Sequence, residues 1–185
     1  QTGQVYPCAN GSALLDQGVK EFLEQFDLLT VTNYDRDEPF AGRIYKIRHD
    51  DQGTRLAFIK AISGQLKIRD ETAYGNGQSD KVTQILSLHG TKYEPQQEGN
   101  AGELFAVVGL THAEVGDGVG AWKEKAHFEL VPTLRSNVVF EPHVNKKEAL
   151  KFFRLLEVED PSLQVVWAEK DQAIHLHVMG KIQLE

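Results

Sequence analysis

Several features that are common in proteins are missing from this sequence. Its 185 residues include one cysteine, Cys8, so no disulfide can form within the chain. No apolar run approaches the roughly 20 residues that a transmembrane helix needs, and no signal-peptide pattern opens the chain. The first residue is Gln1 rather than Met, from which we expect an excised fragment. These absences favour a reducing, cytoplasmic setting with no membrane partner.

An excess of positive charge is also missing, because the net charge is −7. This value argues against a generally basic nucleic-acid binder. The charge is uneven, however, since residues 43–69 carry +5 and the other residues carry −12. The basic residues of this stretch are Arg43, Lys46, Arg48, Arg55, Lys60, Lys67 and Arg69. Two interpretations stay open, a local patch that faces phosphates and a solvated sheet face rich in Lys and Arg.

Motifs for catalysis or metal binding are not evident. No Ser/His/Asp or Cys/His arrangement is recognisable, and the glycine-rich residues 116–120 lack the Lys-Ser/Thr of a phosphate loop, which predicts a turn. His175 and His177 have a spacing that two metal ligands can share, but no third ligand is evident nearby. We interpret them as surface histidines, and Trp122 and Trp167 as packing residues.

The apolar pattern predicts three successive segments. Hydrophobic residues make up 41% of the chain, which is enough for a packed core. Residues 5–10 read as a strand, and Leu15, Val19, Phe22 and Phe26 recur at the spacing of an amphipathic helix. A strand and a helix alone cannot bury both of their apolar faces. They are typical of the last unit of an α/β domain.

The second segment, from about residue 40 to 131, has the pattern of a small β-barrel. Roughly six short strands alternate with Gly- and Asp-rich turns. Residues 74–100 give the weakest signal within it.

The third segment has the order β-α-β-β, which opens a ferredoxin-like split fold. Its first strand is predicted at 134–140, and Asn145 with Glu148 forms a capping box before a helix that ends by Pro161. Two more strands follow at 163–167 and 173–179. We expect the edge of the first strand to be unpaired. We also expect an open apolar sheet face built by Val138, Val166, Ile174 and Leu176, so that self-association is possible.

Several motifs, in this order, resemble elongation factor G and its relatives. The quoted sequence runs are Phe40-Ala41-Gly42-Arg43-Ile44, Arg55-Leu56-Ala57-Phe58-Ile59, Ala101-Gly102-Glu103-Leu104-Phe105, Phe140-Glu141-Pro142 and Gly180-Lys181-Ile182-Gln183-Leu184-Glu185. The resemblance covers nearly the whole chain. The Lys-x-Gln of the last run and the Arg-Leu-Ala-Phe-Ile run look like the tetracycline-resistance ribosomal-protection branch of that superfamily.

The resemblance implies a mixed β and α+β fold in three parts. Residues 1–33 would be a strand-helix remnant of a GTPase α/β domain. Residues 34–131 would be a translation-factor β-barrel, domain II. Residues 132–185 would begin a truncated ferredoxin-like domain III. Catalytic residues are not expected in this chain, because the phosphate loop and switch regions of the family precede Gln1. Whether it counts as an enzyme stays open, since the parent protein would be a GTPase while this chain should be inactive alone.

The resemblance also implies sites and partners. Ser12, Ala13 and Leu14 match the last guanine-recognition loop of the family, whose N–H groups read the guanine carbonyl. GTP and Mg²⁺ are expected in the full-length parent and not in this chain. The barrel would rest on the ribosome, on small-subunit ribosomal RNA and protein, with Arg43, Lys67 and Arg69 as candidate RNA contacts. The remaining domains of the same polypeptide would be further partners.

The implied function is ribosome protection, in which the parent binds the ribosome with GTP and expels tetracycline. One alternative is an elongation factor G-like translocase or another translational GTPase. Another, of a different class, is a stand-alone β-barrel binding module with no GTPase attached.

Overall fold

The computed structural model describes residues 6–30, 32–90, 92–126 and 131–184. The chain divides into two compact units, Gln1–Asn33 and Tyr34–Glu185. In the described ranges no helix is both long enough and apolar enough to cross a membrane.

The first unit contains one turn of 3-10 helix, Ala13–Leu15, and the helix α1, Val19–Leu29. Gly18 caps α1 with φ at +72°, a left-handed conformation that a side chain would oppose. The expected helix is confirmed. Residues 6–10 form no strand, because a strand needs a partner backbone and none of the described residues of this unit supplies one beside them. Phe22, Leu23 and Phe26 of α1 are exposed.

The second unit begins with a β-barrel-like fold, as predicted, although its strands are more numerous than expected. The strands described between residues 34 and 126 are β1 (Ala41–His49), β2 (Arg55–Ser63), β3 (Gln65–Lys67), β4 (Glu71–Tyr74), β5 (Gln78–Lys81), β6 (Gln84–His89), β7 (Lys92–Gln96), β8 (Glu98–Asn100), β9 (Leu104–Val108) and β10 (Gly118–Gly120). Eight of them form one sheet in the order β5-β4-β10-β1-β2-β9-β6-β7, and β3 pairs with β8. The last of these strands, β10, has only three residues, and residues 127–130 lie outside the described residues.

Backbone hydrogen bonds of the residues after β5 connect the β4 end of this sheet to β9. Thr83 N–H donates to Val108 O at 2.9 Å, while Val82 N–H donates to Asp70 O at 2.9 Å. The enclosed space is filled by side chains that alternate along the strands, so that their apolar groups leave water. The largest fully buried ones here are Phe105, Ile44, Ile47, Ile59, Ile85, Leu110, Val82, Val107 and Val119.

A β-bulge in β1 decides which of its side chains face outward. Ile44 pairs with Ile59 and Lys46 with Phe58, so Tyr45 is an extra residue on β1. Ile44 and Ile47 are both buried as a result, and Tyr45 and Lys46 are both exposed. A strict alternation would have pointed Lys46 toward the core.

The third segment has the predicted order of elements. It contains β11 (Leu134–Asn137), α2 (Lys146–Glu159), β12 (Gln164–Ala168) and β13 (Ala173–Val178). The strands are antiparallel in the order β11-β13-β12, which is the arrangement of a split β-α-β unit. The Asn145 side chain accepts from Lys147 N at 3.1 Å and Glu148 N at 3.4 Å, which confirms the predicted cap.

The expected open apolar face of this sheet is wrong. Ile174, Leu176 and Val178 alternate on one face of β13, and that face is buried against α2. Val166 lies on the other face with His175, its cross-strand partner. Because side chains alternate with a period of two, Val166 could not share a face with Ile174 and Leu176 in this register. The first strand also ends at Asn137 rather than at residue 140.

The barrel and the third segment meet at the end of α2. The His49 N–H donates to Glu159 Oε1 at 2.8 Å, and the Nδ1 atom of His49 lies 2.9 Å from the same oxygen. Val158 packs against the barrel core. The last turn of α2 is therefore fixed to the end of β1 by both polar and apolar contacts.

Candidate nucleic-acid interface

Two cations lie opposite each other on the outer face of β1 and β2. Arg43 of β1 is the cross-strand partner of Lys60 of β2. Arg43 Nη1 donates to Gly116 O at 3.2 Å, and Lys60 Nζ donates to Gly102 O at 2.5 Å. These hydrogen bonds go to main-chain carbonyls rather than to carboxylates, so they position the two cations without neutralising them. We call Arg43 and Lys60 the stacked cation pair.

Each cation of this pair stacks on an aromatic ring. The Arg43 guanidinium carbon lies 4.2 Å from the centroid of the Trp122 ring. Lys60 Nζ lies 4.8 Å from the centroid of the Tyr34 ring. Cation–π contacts at these distances are favourable and restrict long side chains that would otherwise sample many rotamers. Trp122 is therefore more than the packing residue that the sequence suggested.

The rest of the basic stretch on β1 and β2 divides into exposed residues and the half-buried Arg55. Lys46 and Arg48 are exposed on β1, and Lys46 Nζ lies 6.0 Å from the Phe58 ring centroid. Arg55 differs, because its guanidinium donates to Ala113 O while its buried Nε atom has no hydrogen-bond partner. Burial lowers the pKa of Arg55, since desolvation disfavours its charged form. Arg55 is thus half-buried, and its guanidinium is bound to the barrel backbone.

The three predicted RNA contacts do not share one strand face. Arg43 lies on the eight-stranded sheet, whereas Lys67 ends β3 and Arg69 follows it. Lys67 Nζ is 4.0 Å from Glu98 Oε2 on the paired strand. Arg69 is exposed and has φ at +77°. Sequence reasoning missed Lys60 as the neighbour of Arg43, because only the β1–β2 register brings the two together.

The predicted guanine loop forms an ordered turn in the first unit. Ser12 Oγ accepts from Leu15 N at 3.4 Å, and Ser12 N–H donates to Gln17 O at 2.9 Å. Within the described part of the chain, no hydrogen-bond acceptor is found for the N–H groups of Ala13 and Leu14. Residues 9–13 and 17–19, with Phe22, line a cavity of about 260 Å³ beside this turn. Ala13 lines this cavity and Leu14 does not. A main-chain N–H beside a cavity can bind a carbonyl oxygen, and the guanine contact of Ser12, Ala13 and Leu14 stays a prediction.

His175 and His177 lie on the sheet face away from α2, as neighbours on β13. Among residues 6–30, 32–90, 92–126 and 131–184, no group of three or more His, Cys, Asp or Glu side chains could hold a metal ion. Both side chains are half-buried, and the interpretation as surface histidines stays a prediction.

Comparison with known proteins bears directly on the barrel. Residues 39–121 match the sequence model of the family described as elongation factor G domain 2. This chain contains an elongation factor G domain 2, over 83 of its 185 residues. The stacked cation pair, Lys67 and Arg69 all fall inside the matched domain 2 range, and Ser12-Ala13-Leu14 precedes it.

Similar proteins extend the relationship beyond domain 2. The chain is 24% identical over 187 residues to the tetracycline resistance protein TetP of Clostridium perfringens, covering 99% of this chain and 29% of TetP. It is 29% identical over 206 residues to elongation factor G 2 of Desulfotalea psychrophila, covering 98% and 30%. It is 24% identical over 191 residues to the tetracycline resistance protein TetS of Listeria monocytogenes, covering 100% and 30%. The chain thus spans less than a third of the length of these relatives.

A solved structure from Thermus thermophilus has the same fold. The TM-score is 0.65 at 19% sequence identity, and the alignment covers 80% of this chain and 23% of that one. At this identity the similarity concerns the fold alone. It agrees with a mixed β and α+β chain in which a domain 2 barrel is the central element.

Proposed function

We propose that this chain is a segment of a ribosome-binding translational GTPase that protects ribosomes from tetracycline by GTP-dependent release of the drug. The observation that carries this proposal is the similarity to TetP and TetS over 99% and 100% of the chain. The similarity extends through the segments on both sides of domain 2. A stand-alone barrel module would give no reason for that extent.

In this proposal the three parts have separate tasks. Residues 1–33 complete a GTPase domain, in which Ser12, Ala13 and Leu14 donate main-chain N–H groups to the guanine of GTP. Residues 34–131 are domain II, and residues 132–185 begin domain III. GTP and Mg²⁺ act in the full-length protein, in the cytoplasm. A base contact alone cannot hold GTP, because much of its affinity comes from phosphate and Mg²⁺ contacts.

The proposed ribosomal contact of domain II is the outer face of β1 and β2. The stacked cation pair presents two charges that aromatic rings hold in place. Lys67 and Arg69, on and after β3, are proposed as separate RNA contacts elsewhere on the barrel. Cations that are fixed before binding lose little conformational entropy when they meet phosphates of small-subunit ribosomal RNA. Small-subunit protein and the other domains of the same polypeptide are further proposed partners. β11 pairs with β13 on one side only. We propose its other edge as a second binding surface, for the other domains of the polypeptide or for a second copy of this chain.

A second candidate is an elongation factor G-like translocase. It is favoured by the identity of 29% to elongation factor G 2, which exceeds the 24% to TetP and TetS. Both candidates use the same domain 2 fold, and fold alone does not assign function.

The deciding experiment expresses the full-length parent in a tetracycline-sensitive bacterium and, separately, in a strain depleted of its own elongation factor G. Ribosome protection predicts growth at raised tetracycline concentrations and no rescue of the depleted strain. Rescue of the depleted strain without tetracycline resistance would assign the translocase function instead. A substitution in the phosphate loop of the parent serves as the control, since either activity needs GTP.

A further inference from the structure

A groove in the third segment is lined by none of the barrel residues described above. It runs between α2 and β12, has a volume of about 530 Å³, and is lined by Lys147, Leu150, Lys151, Arg154 and Trp167. Three of its five lining residues are cations, and all three come from α2. The floor is apolar, because Leu150 and Trp167 pack against the core under the helix. We call this feature the α2 groove.

The cations follow one another along a single side of α2. Lys147, Lys151 and Arg154 are spaced at i, i+4 and i+7, so they rise by about 6 Å and then by about 4.5 Å along the helix axis. All three are exposed. Arg154 Nη1 also lies 2.6 Å from Glu157 Oε2, an ion pair that fixes the guanidinium at the end of the row and offsets its charge, while its other N–H donors point elsewhere, so Lys147 and Lys151 are the main cations of the row. A row of this kind can be an ordinary solvated helix face, so charge alone does not assign a ligand.

Trp167 distinguishes the groove from a solvated face. On β12 it alternates with Val166, so it points toward α2 on the same side as the buried Val165. It is only half-buried, and the accessible part of the indole lines the groove beside the cations. The groove therefore offers an accessible indole face beside a row of cations. A planar base can cover it by stacking, and a phosphate backbone can follow the cations.

We propose that the α2 groove binds single-stranded RNA, with a base stacked on Trp167 and neighbouring phosphates on Lys147, Lys151 and Arg154. An acidic peptide would use the same cations but has no flat ring to offer the indole, which is why RNA is the better match. The site does not depend on the barrel surface, since it uses other elements and other residues. It would give an acidic protein a second, independent contact with RNA.

The test uses this chain and a fluorescein-labelled twelve-residue oligouridylate at about 50 mM salt, where phosphate contacts are strong. The double variant Lys147→Glu/Lys151→Glu should bind at least about tenfold more weakly, and the slope of log affinity against log salt should flatten by about 1.4, or 0.7 per lost contact. Lys92→Glu serves as the control, because Lys92 is an exposed cation on β7 of the barrel. In a Trp122→Phe background, where Trp167 is the one remaining tryptophan, RNA should quench the fluorescence.

Stacking is tested separately from charge. Trp167→Leu keeps an apolar side chain in the floor and should weaken binding about 5- to 100-fold, whereas Trp167→Phe keeps a ring and should recover most of the affinity. Inorganic polyphosphate should compete for the cations without quenching Trp167. The proposal is overturned if the Lys147/Lys151 variant binds RNA as the Lys92 variant does. It is equally overturned if polyglutamate displaces the oligonucleotide and quenches Trp167 as RNA does.

Discussion

Gly99 lies directly beneath the ring that fills the centre of the barrel. A Cβ atom on Gly99 would lie 2.2, 2.4 and 2.6 Å from three carbon atoms of the Phe105 ring. Phe105 is 0% exposed, so dense packing prevents the ring from moving aside. We expect Gly99→Ala to destabilise the barrel by about 2–3 kcal/mol, in the upper part of the range for overpacked cores. Because β8 pairs with β3, the same change should displace the strand that carries Lys67.

A double-mutant cycle isolates this steric contact. Phe105→Leu removes the ring atoms that clash and should cost about 1–2 kcal/mol, less than the roughly 3–5 kcal/mol of a Phe→Ala change. The double variant should then be at least about 1 kcal/mol more stable than the sum of the two single effects. Urea unfolding followed by Trp122 fluorescence, in a Trp167→Phe background, reports on the barrel.

Gly180→Ala is the matched control, because a Cβ on Gly180 meets no atom within 4 Å. It should change the free energy of unfolding by no more than about 0.5 kcal/mol. If Gly99→Ala is as mild as Gly180→Ala, or if the double variant is simply additive, the packing argument around Phe105 is refuted.

Three further predictions concern charge, acid stability and helix capping. In the full-length parent, Arg43→Glu/Lys60→Glu should weaken ribosome binding in a pelleting assay and reduce the slope of log affinity against log salt by roughly 1.4–1.8. The control Lys92→Glu, which changes an exposed cation, should do neither. Equal effects of the two variants would contradict the barrel interface. Asp80 Oδ2 accepts from the Tyr74 hydroxyl at 2.5 Å and from Thr111 N–H at 2.9 Å, which lowers the pKa of Asp80. The stability that this carboxylate contributes is therefore present above its unfolded pKa and is lost as pH falls through the folded pKa. In Asp80→Asn, the free energy of unfolding should fall less steeply as the pH is lowered. An unchanged pH dependence at acidic pH would refute this role of Asp80. Asn145→Ala should lower the free energy of unfolding of the third segment by about 0.5–2 kcal/mol, whereas Asn145→Asp keeps the cap. Unfolding is followed by Trp167 fluorescence in a Trp122→Phe background. Equal stability of the two variants would contradict the capping role.

The helix α2 shows how far local chemistry carried the prediction. Asn145, Glu148 and the apolar spacing after them predicted a helix that starts after residue 145 and ends by Pro161, and α2 spans Lys146–Glu159. Capping and helical periodicity involve residues within one or two turns of each other, so a sequence read in order contains them. The family motifs were readable for a similar reason, since each is a short run of neighbouring residues.

Residues 74–100 were the least readable part of the barrel. β5, Gln78–Lys81, is almost entirely polar, and β7, Lys92–Gln96, contains a proline and charged residues. Such strands have little apolar alternation, so they give no period-two signal. They form because neighbouring strands supply hydrogen-bond partners, and that supply is a property of the folded sheet.

The sequence by itself determined the order of the three segments, the position of α2 and the charge excess of residues 43–69, because each depends on neighbouring residues. Tertiary structure decided which cations of that stretch are exposed or positioned to contact RNA. The β1 bulge turned Lys46 outward, a hydrogen bond to Ala113 O held the half-buried Arg55, and the β1–β2 register placed Lys60 beside Arg43. The Trp122 ring that stacks on Arg43 and the Trp167 floor of the α2 groove were decided in the same way. The physical reason is that strand register and ring stacking join residues far apart in the chain, and their energies exist only once the chain has folded.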